Sequence, residues 1–209
     1  MSKTAALSGS PTTGSTHLPP RRRWDERYIT LPAEARMEPT PFVTACLPKL
    51  PQQGHALDIA AGAGRHSLTL ARHGLQVDAI DISWHGLRLA RQRALAAHPS
   101  PGRQIRFIVA DVERPWLPHA GYEVILVSFF LHRPLFPLIK ARLKPGGWLV
   151  YETFIAGPET SSDGHAMRRD FLLEPDELKD TFADFEIRFY AESQDRAKAT
   201  AQLLAQKPG

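Results

Sequence analysis

The residues best placed to do chemistry in this 209-residue chain are acids that end apolar runs, with a glycine turn between them. Leu57-Asp58-Ile59-Ala60 leads through Ala61-Gly62-Ala63-Gly64 into Arg65-His66, where a helical pattern starts. One strand–helix unit later, Val77-Asp78-Ala79-Ile80-Asp81 ends in an acid, and Asp111 follows a third such run. Parallel strands bind ligands at their carboxyl ends, glycines let the backbone approach the ligand, and a carboxylate can accept both hydrogen bonds of a ribose diol. The layout suits a nucleoside-bearing cofactor. Asp58 narrows the choice, because a carboxylate beside the turn repels a pyrophosphate and attracts a free amino group.

The elements that must hold these residues are legible from period and punctuation. Short apolar runs at 56–60, 77–81, 105–110, 122–128 and 148–154 predict strands buried on both faces. Helical patterns at 65–72, 85–97 and 135–143 lie between them, and Phe136, Ile139 and Leu143 share a face of the last. Lys144-Pro145-Gly146-Gly147 predicts a stop and turn before the fifth strand. Beyond it, 155–169 reads as loop and Glu174-Pro175-Asp176-Glu177-Leu178 as a helix start. Runs at 186–192 and 200–207 predict a closing hairpin. The expected fold class is α/β, a Rossmann-like three-layer sandwich with a mostly parallel seven-stranded sheet and one antiparallel C-terminal strand.

Composition bounds the partners. No apolar run approaches the roughly 20 residues that span a bilayer, and no signal-peptide pattern opens the chain. Cys46 is the only cysteine, so an internal disulfide is impossible and a cytoplasmic setting is expected. The net charge of +4 resides in residues 1–23, where Lys3, Arg21, Arg22 and Arg23 face no acid; elsewhere basic and acidic residues balance. The segment 1–23 reads as a disordered basic tail, 24–53 as a helical segment whose Trp24 and Tyr28 either anchor it or close over the site, and 54–209 as the cofactor-binding domain. Neither a nucleic-acid nor a membrane partner is expected. The nine histidines are scattered without ligand spacing, so no metal is expected.

From Ala56 to Phe154 the chain resembles the class I S-adenosylmethionine-dependent methyltransferases. Asp58-x-Ala60-x-Gly62-x-Gly64 matches their first motif except that Ala60 stands where the first glycine is usual. The resemblance implies that Asp58 lies near the methionine amino group and that Ala60, Gly62 and Gly64 form the turn against the cofactor. It also implies that Asp81, with Ile82, binds the ribose, that Asp111 and Val112 face adenine, and that Ser128 lines the pocket near the reacting centre. Trp24-Asp25-x-Arg27-Tyr28, Glu38-Pro39-x-Pro41-Phe42, Gly62-x-Gly64-Arg65-His66, Arg133-Pro134-Leu135 and Tyr151-Glu152-Thr153-Phe154 resemble small bacterial methyltransferases of the tellurite-resistance type.

The implied function is methyl transfer from S-adenosylmethionine to a small-molecule acceptor, with a thiol or a metalloid oxyanion among the candidates. Two other readings are kept: a cofactor-binding protein without turnover, and an NAD(P)-dependent oxidoreductase. The second needs a glycine where Ser67 stands and no acid at Asp58. Methyl transfer requires alignment and exclusion of water, and a base only when the acceptor must lose a proton; no catalytic residue is assigned. Of the residues after the fourth strand, His132 is a candidate base and Arg133 a candidate anion anchor, while Tyr151 and Glu152 read as structural or pocket-lining.

Overall fold

The computed structural model describes residues 20–32, 35, 38–97, 101–114, 116–118, 121–156, 161–162, 165–166, 169–193 and 199–209. The order is α1 (Pro20–Ile29), α2 (Pro41–Cys46), β1 (His55–Ile59), α3 (Arg65–Arg72), β2 (Gln76–Asp81), α4 (Trp84–Ala96), β3 (Ile105–Val109), β4 (Tyr122–Ser128), α5 (Phe136–Arg142), β5 (Leu143–Phe154), α6 (Glu177–Thr181), β6 (Glu186–Ser193) and β7 (Thr200–Gln206). A two-residue pairing of Ser161–Ser162 with His165–Ala166 stands apart from the main sheet.

The seven strands lie in the order β3-β2-β1-β4-β5-β7-β6. Strands β3 to β5 are mutually parallel, and β7 runs antiparallel to both neighbours. Strand order reverses between β1 and β4, and open α/β sheets bind ligands outside the carboxyl ends at such a switch point. Alternate residues of each strand feed two cores. Leu57, Ile125 and Tyr151 pack with α5 and α6 on one face, through Phe136, Ile139 and Leu178, and with Phe182 just past the end of α6. Ala56, Val124, Leu126 and Val150 pack on the other against Val43 of α2, Leu68 and Leu70 of α3 and Leu87 of α4. Near-continuous apolar strands follow from burial on both faces. Among the described residues no helix is long and apolar enough to cross a membrane.

Local signals set the helix starts. Thr40 caps α2 by accepting from the Val43 N–H, with Pro41 in the first turn, and Ser83 caps α4 by accepting from the Gly86 N–H. Three boundaries differ from expectation by more than one residue. Strand β5 starts at Leu143, so the Lys144–Gly147 turn is a register shift within the β4–β5 pairing rather than a break before the strand. Helix α6 starts at Glu177, because Asp176 is left-handed at φ 59° and holds Pro175 outside the helix. Helix α1 starts at Pro20, so the boundary expected at 23/24 falls inside it; the rest of the expected tail, 1–19, lies outside the described residues.

Candidate functional site

Asp58 sits at the carboxyl end of β1 and is 1% exposed. The Ser67 hydroxyl, in the first turn of α3, donates to its Oδ2 at 2.5 Å. Burial pushes the Asp58 carboxyl up to about 7; the Ser67 hydroxyl pulls it back, and the charge of Asp81 adds to the rise. The turn between Asp58 and Ser67 has three residues at positive φ: Ala60 at 58°, Gly62 at 56° and Gly64 at 77°. Ala60 thus adopts the backbone conformation that favours glycine, at the motif position where a glycine is usual.

Asp81 ends β2 and is buried as well. Its Oδ2 accepts the Gly62 N–H at 2.8 Å and its Oδ1 the Ser83 N–H at 2.7 Å. The carboxylate therefore ties the glycine turn to the start of α4. Burial raises it to about 6, against the lowering effect of those two N–H groups. A carboxylate offers about four acceptor positions, so two backbone donors leave capacity for a diol. Ile82 follows, half-buried, between Asp81 and Ser83.

Helix α1 lies over these loops. Asp25 Oδ1 accepts from the Ser83 hydroxyl at 2.6 Å and from the His85 N–H at 3.2 Å. The Tyr28 ring fits where two glycines leave room: a Cβ on Gly62 would lie 2.2 Å from Tyr28 Oη, and one on Gly86 would lie 2.9 Å from Tyr28 Cδ2. Trp24 stacks on Tyr28 with ring centres 6.2 Å apart. Behind them, the buried Arg93 guanidinium donates to the Ala63 carbonyl at 3.1 Å and to the Ala35 carbonyl at 2.6 Å.

A second polar cluster occupies the ends of β4 and β5. Glu152, 2% exposed, accepts through Oε1 from the Ser128 hydroxyl at 2.9 Å and from the Thr40 hydroxyl. The Thr40 N–H in turn donates to His66 Nε2 at 3.3 Å. That bond requires an unprotonated Nε2, and burial, with the Arg65 charge, pushes the imidazole down to about 3. Phe129, immediately after Ser128, has φ 53° and donates its N–H to the Glu152 carbonyl at 2.8 Å.

Asp58, Ala60, Gly62, Gly64, Asp81 and Ser128 thus lie along one sheet edge, with Asp111 and Val112 following β3 on the same edge. Asp111 accepts the Glu113 N–H at 3.1 Å and stands 3.7 Å from the Arg114 Nε, while Val112 packs into the core. Arg133, the candidate anion anchor, is instead bound to both oxygens of Glu177 and to the Leu172 and Asp170 carbonyls. Tyr151 is buried and donates to the Phe130 carbonyl at 3.0 Å. His132 is half-buried, and its Nε2 has no hydrogen-bond partner among the described residues. Among the described residues no group of three or more His, Cys, Asp or Glu side chains could hold a metal ion.

Thr40 and Arg93 have no signal in the sequence reading, and Asp25 and His66 entered it only as members of resemblance motifs, without the contacts they make. Ser67 entered that reading only as a non-glycine. Glu152, read from sequence as structural or pocket-lining, continues the Trp148–Val150 face toward the carboxyl edge, and that strand parity would have aimed it at the site.

Residues 56–147 match the family described as a methyltransferase domain. An uncharacterized methyltransferase of Mycobacterium tuberculosis is 32% identical over 104 residues, which are 47% of this chain and 50% of that protein. The chain spans about half the length of the curated relatives it matches. TehB from Haemophilus influenzae superposes with a TM-score of 0.62 at 20% identity, over 73% of this chain and 57% of that one. The glycopeptide N-methyltransferase MtfA, solved with S-adenosyl-L-methionine, superposes with a TM-score of 0.60 at 16% identity, over 82% and 88%. At such identities the superpositions speak for the fold.

Proposed function

We propose that this chain, whose residues 56–147 match a methyltransferase domain, binds S-adenosylmethionine and transfers its methyl group to a small-molecule acceptor. The observation that carries the reading is the pair of buried carboxylates, Asp58 and Asp81, on either side of a turn held at positive φ. A cofactor bearing an ammonium and a ribose diol offers what both lack; a dinucleotide pyrophosphate does not. The Ser67 hydroxyl bonded to Asp58 disfavours the nicotinamide alternative, since it fills the third-glycine position with a side chain in use.

When bound, S-adenosylmethionine supplies an electrophilic methyl group on a sulfonium. The chain's residues bind and align. Asp81 receives the ribose hydroxyls with Ile82 beside it, and Asp111 and Val112 flank the adenine. Ala60, Gly62 and Gly64 give the backbone its close approach, Asp58 faces the amino end, and Ser128 borders the reacting centre. Tyr28 and Trp24, on the segment 24–53, cover the turn and keep water out, which strengthens every electrostatic contact beneath them. A thiol or a metalloid oxyanion is a suitable acceptor, because a soft nucleophile needs no base, and a cytoplasmic setting accords with such acceptors.

The test is titration calorimetry with S-adenosylhomocysteine, S-adenosylmethionine and NAD. Both adenosyl ligands should bind and NAD should not, and Asp81→Asn should weaken S-adenosylhomocysteine about tenfold or more, as loss of charge-assisted bonds of ~1.5–3 kcal/mol implies. NAD binding without adenosyl-ligand binding overturns the reading. Transfer of label from methyl-labelled cofactor to any acceptor excludes a binding protein without turnover.

A further inference from the structure

Glu152 is a buried carboxylate with one oxygen in use. Thr40 Oγ1 accepts the Val43 N–H, so its own proton is directed to Glu152 Oε1, and the Ser128 hydroxyl donates to the same oxygen. Oε2 receives no hydrogen bond from the described residues. That second oxygen keeps its acceptor capacity at the carboxyl edge of the sheet, open to a ligand donor.

The surroundings say which donor. Among the described residues the buried acidic side chains are Asp58, Asp81 and Glu152, and the one buried arginine or lysine, Arg93, is bonded to the Ala63 and Ala35 carbonyls. The edge therefore holds more buried acidic side chains than buried basic ones. Glu152 is also joined, through Thr40, to the helix that follows the glycine turn. Adjacent residues in the first turn of α3 reach both carboxylates, since Ser67 donates to Asp58 and His66 accepts from Thr40, which holds Glu152. The Asp58 carboxyl, pushed up to about 7 and engaged by Ser67, is the weaker partner for a cation.

We infer that Glu152 Oε2 is the direct acceptor for the ammonium of the bound cofactor's amino-acid end, with Thr40 and Ser128 as the positioning residues that aim it. This rests on the proposed cofactor reading and refines it. The α-ammonium would donate to Oε2, leaving Asp58 to set the field behind the turn. Thr40 then orients a ligand-binding carboxylate as well as capping α2.

Two ligands separate the amino-acid end from the nucleoside end. S-adenosylhomocysteine carries both, and 5′-methylthioadenosine carries the nucleoside alone. Calorimetry on the full chain should give a loss of about tenfold or more for S-adenosylhomocysteine in Glu152→Gln, with 5′-methylthioadenosine changed less than about threefold. Asp81→Asn should weaken both, because both carry the ribose. A ligand-side arm needs no variant: S-adenosylhomocysteine lacking its α-amino group should bind the unaltered protein about as weakly as Glu152→Gln binds the intact compound. Unchanged S-adenosylhomocysteine affinity in Glu152→Gln, equal loss for both ligands, or full affinity for the deaminated compound each overturns the assignment while leaving the cofactor reading intact. Failure of the unaltered protein to bind either nucleoside overturns the cofactor reading itself.

Discussion

Replacing Asp58 by asparagine should make the ligand-free protein more stable at pH 8 relative to the unaltered chain, and less so at pH 5. The Asp58 carboxyl is raised to about 7 in the folded protein against 3.8 for the free group. A raised carboxyl binds its proton more tightly folded than unfolded. Its contribution is therefore fully present below pH 3.8 and is lost as pH rises through about 7. Between pH 5 and pH 8 about two pH units of this unequal protonation are traversed, worth about 3 kcal/mol at 1.36 kcal/mol per unit. His66 has the opposite sign: its imidazole is depressed to about 3, so the unfolded chain binds the extra proton and stability rises with pH until about 6.5. Both proteins contain His66, and the difference between them cancels its effect. Asparagine keeps an acceptor for the Ser67 hydroxyl, so the comparison isolates charge. Urea denaturation at pH 5, 6, 7 and 8 measures it. The gap between Asp58→Asn and the unaltered chain should widen by about 3 kcal/mol in favour of the variant from pH 5 to pH 8. A gap that stays constant, or narrows, refutes the placement of a buried carboxyl, bonded only by a neutral hydroxyl, at the end of β1.

Two further outcomes follow from packing at the glycine turn and from the Arg133 network. Gly62→Ala should displace α1 and raise the rate of tryptic cleavage at Arg27, because its Cβ would meet Tyr28 Oη at 2.2 Å, and Tyr28→Phe in that background should slow cleavage again; equal cleavage in all three proteins removes the contact. Arg133→Ala should destabilise the fold by about 1–3 kcal/mol in urea, since it strands the Leu172 carbonyl and Glu177, and should leave S-adenosylhomocysteine affinity unchanged; a large affinity loss in a folded variant returns Arg133 to the binding site.

What could be read from sequence divides by range. The β4 bounds and the α3 bounds coincide with expectation, β1 is shifted by one residue at both ends, and β2 and β3 differ by a residue at one end. Apolar runs broken by glycine and by acids report local preference and burial together, and that is enough for a doubly covered parallel sheet. The acids at strand ends were legible because position along a strand fixes which edge a residue reaches. What joins them was not. The Thr40–Glu152 contact bridges 112 positions and the Asp25–Ser83 contact 58, and no period or spacing encodes a pairing at that range. The candidate role of Arg133 met the same limit: a basic residue after β4 resembles an anion site until Glu177, 44 positions on, is seen to claim it. The Lys144–Gly147 turn misled because turn chemistry marks a change of direction and cannot tell a bulge within a pairing from a break before it.

Arg93 crosses three pieces of chain at once, anchored in α4 while its guanidinium holds the carbonyl of Ala63 in the glycine turn and that of Ala35 in the N-terminal segment. Such a rivet makes the turn and the segment one cooperative opening unit rather than two independently fraying ones. Amides of the glycine turn and of the segment before α2 should then exchange their hydrogens at a common rate, and a ligand that binds only the turn should slow exchange in the segment as well. Separate rates that stay separate after Arg93→Met would deny the coupling. Where the unit holds, occupancy at the sheet edge is transmitted to the N-terminal segment as a change in how often Ala35 lets go of Arg93.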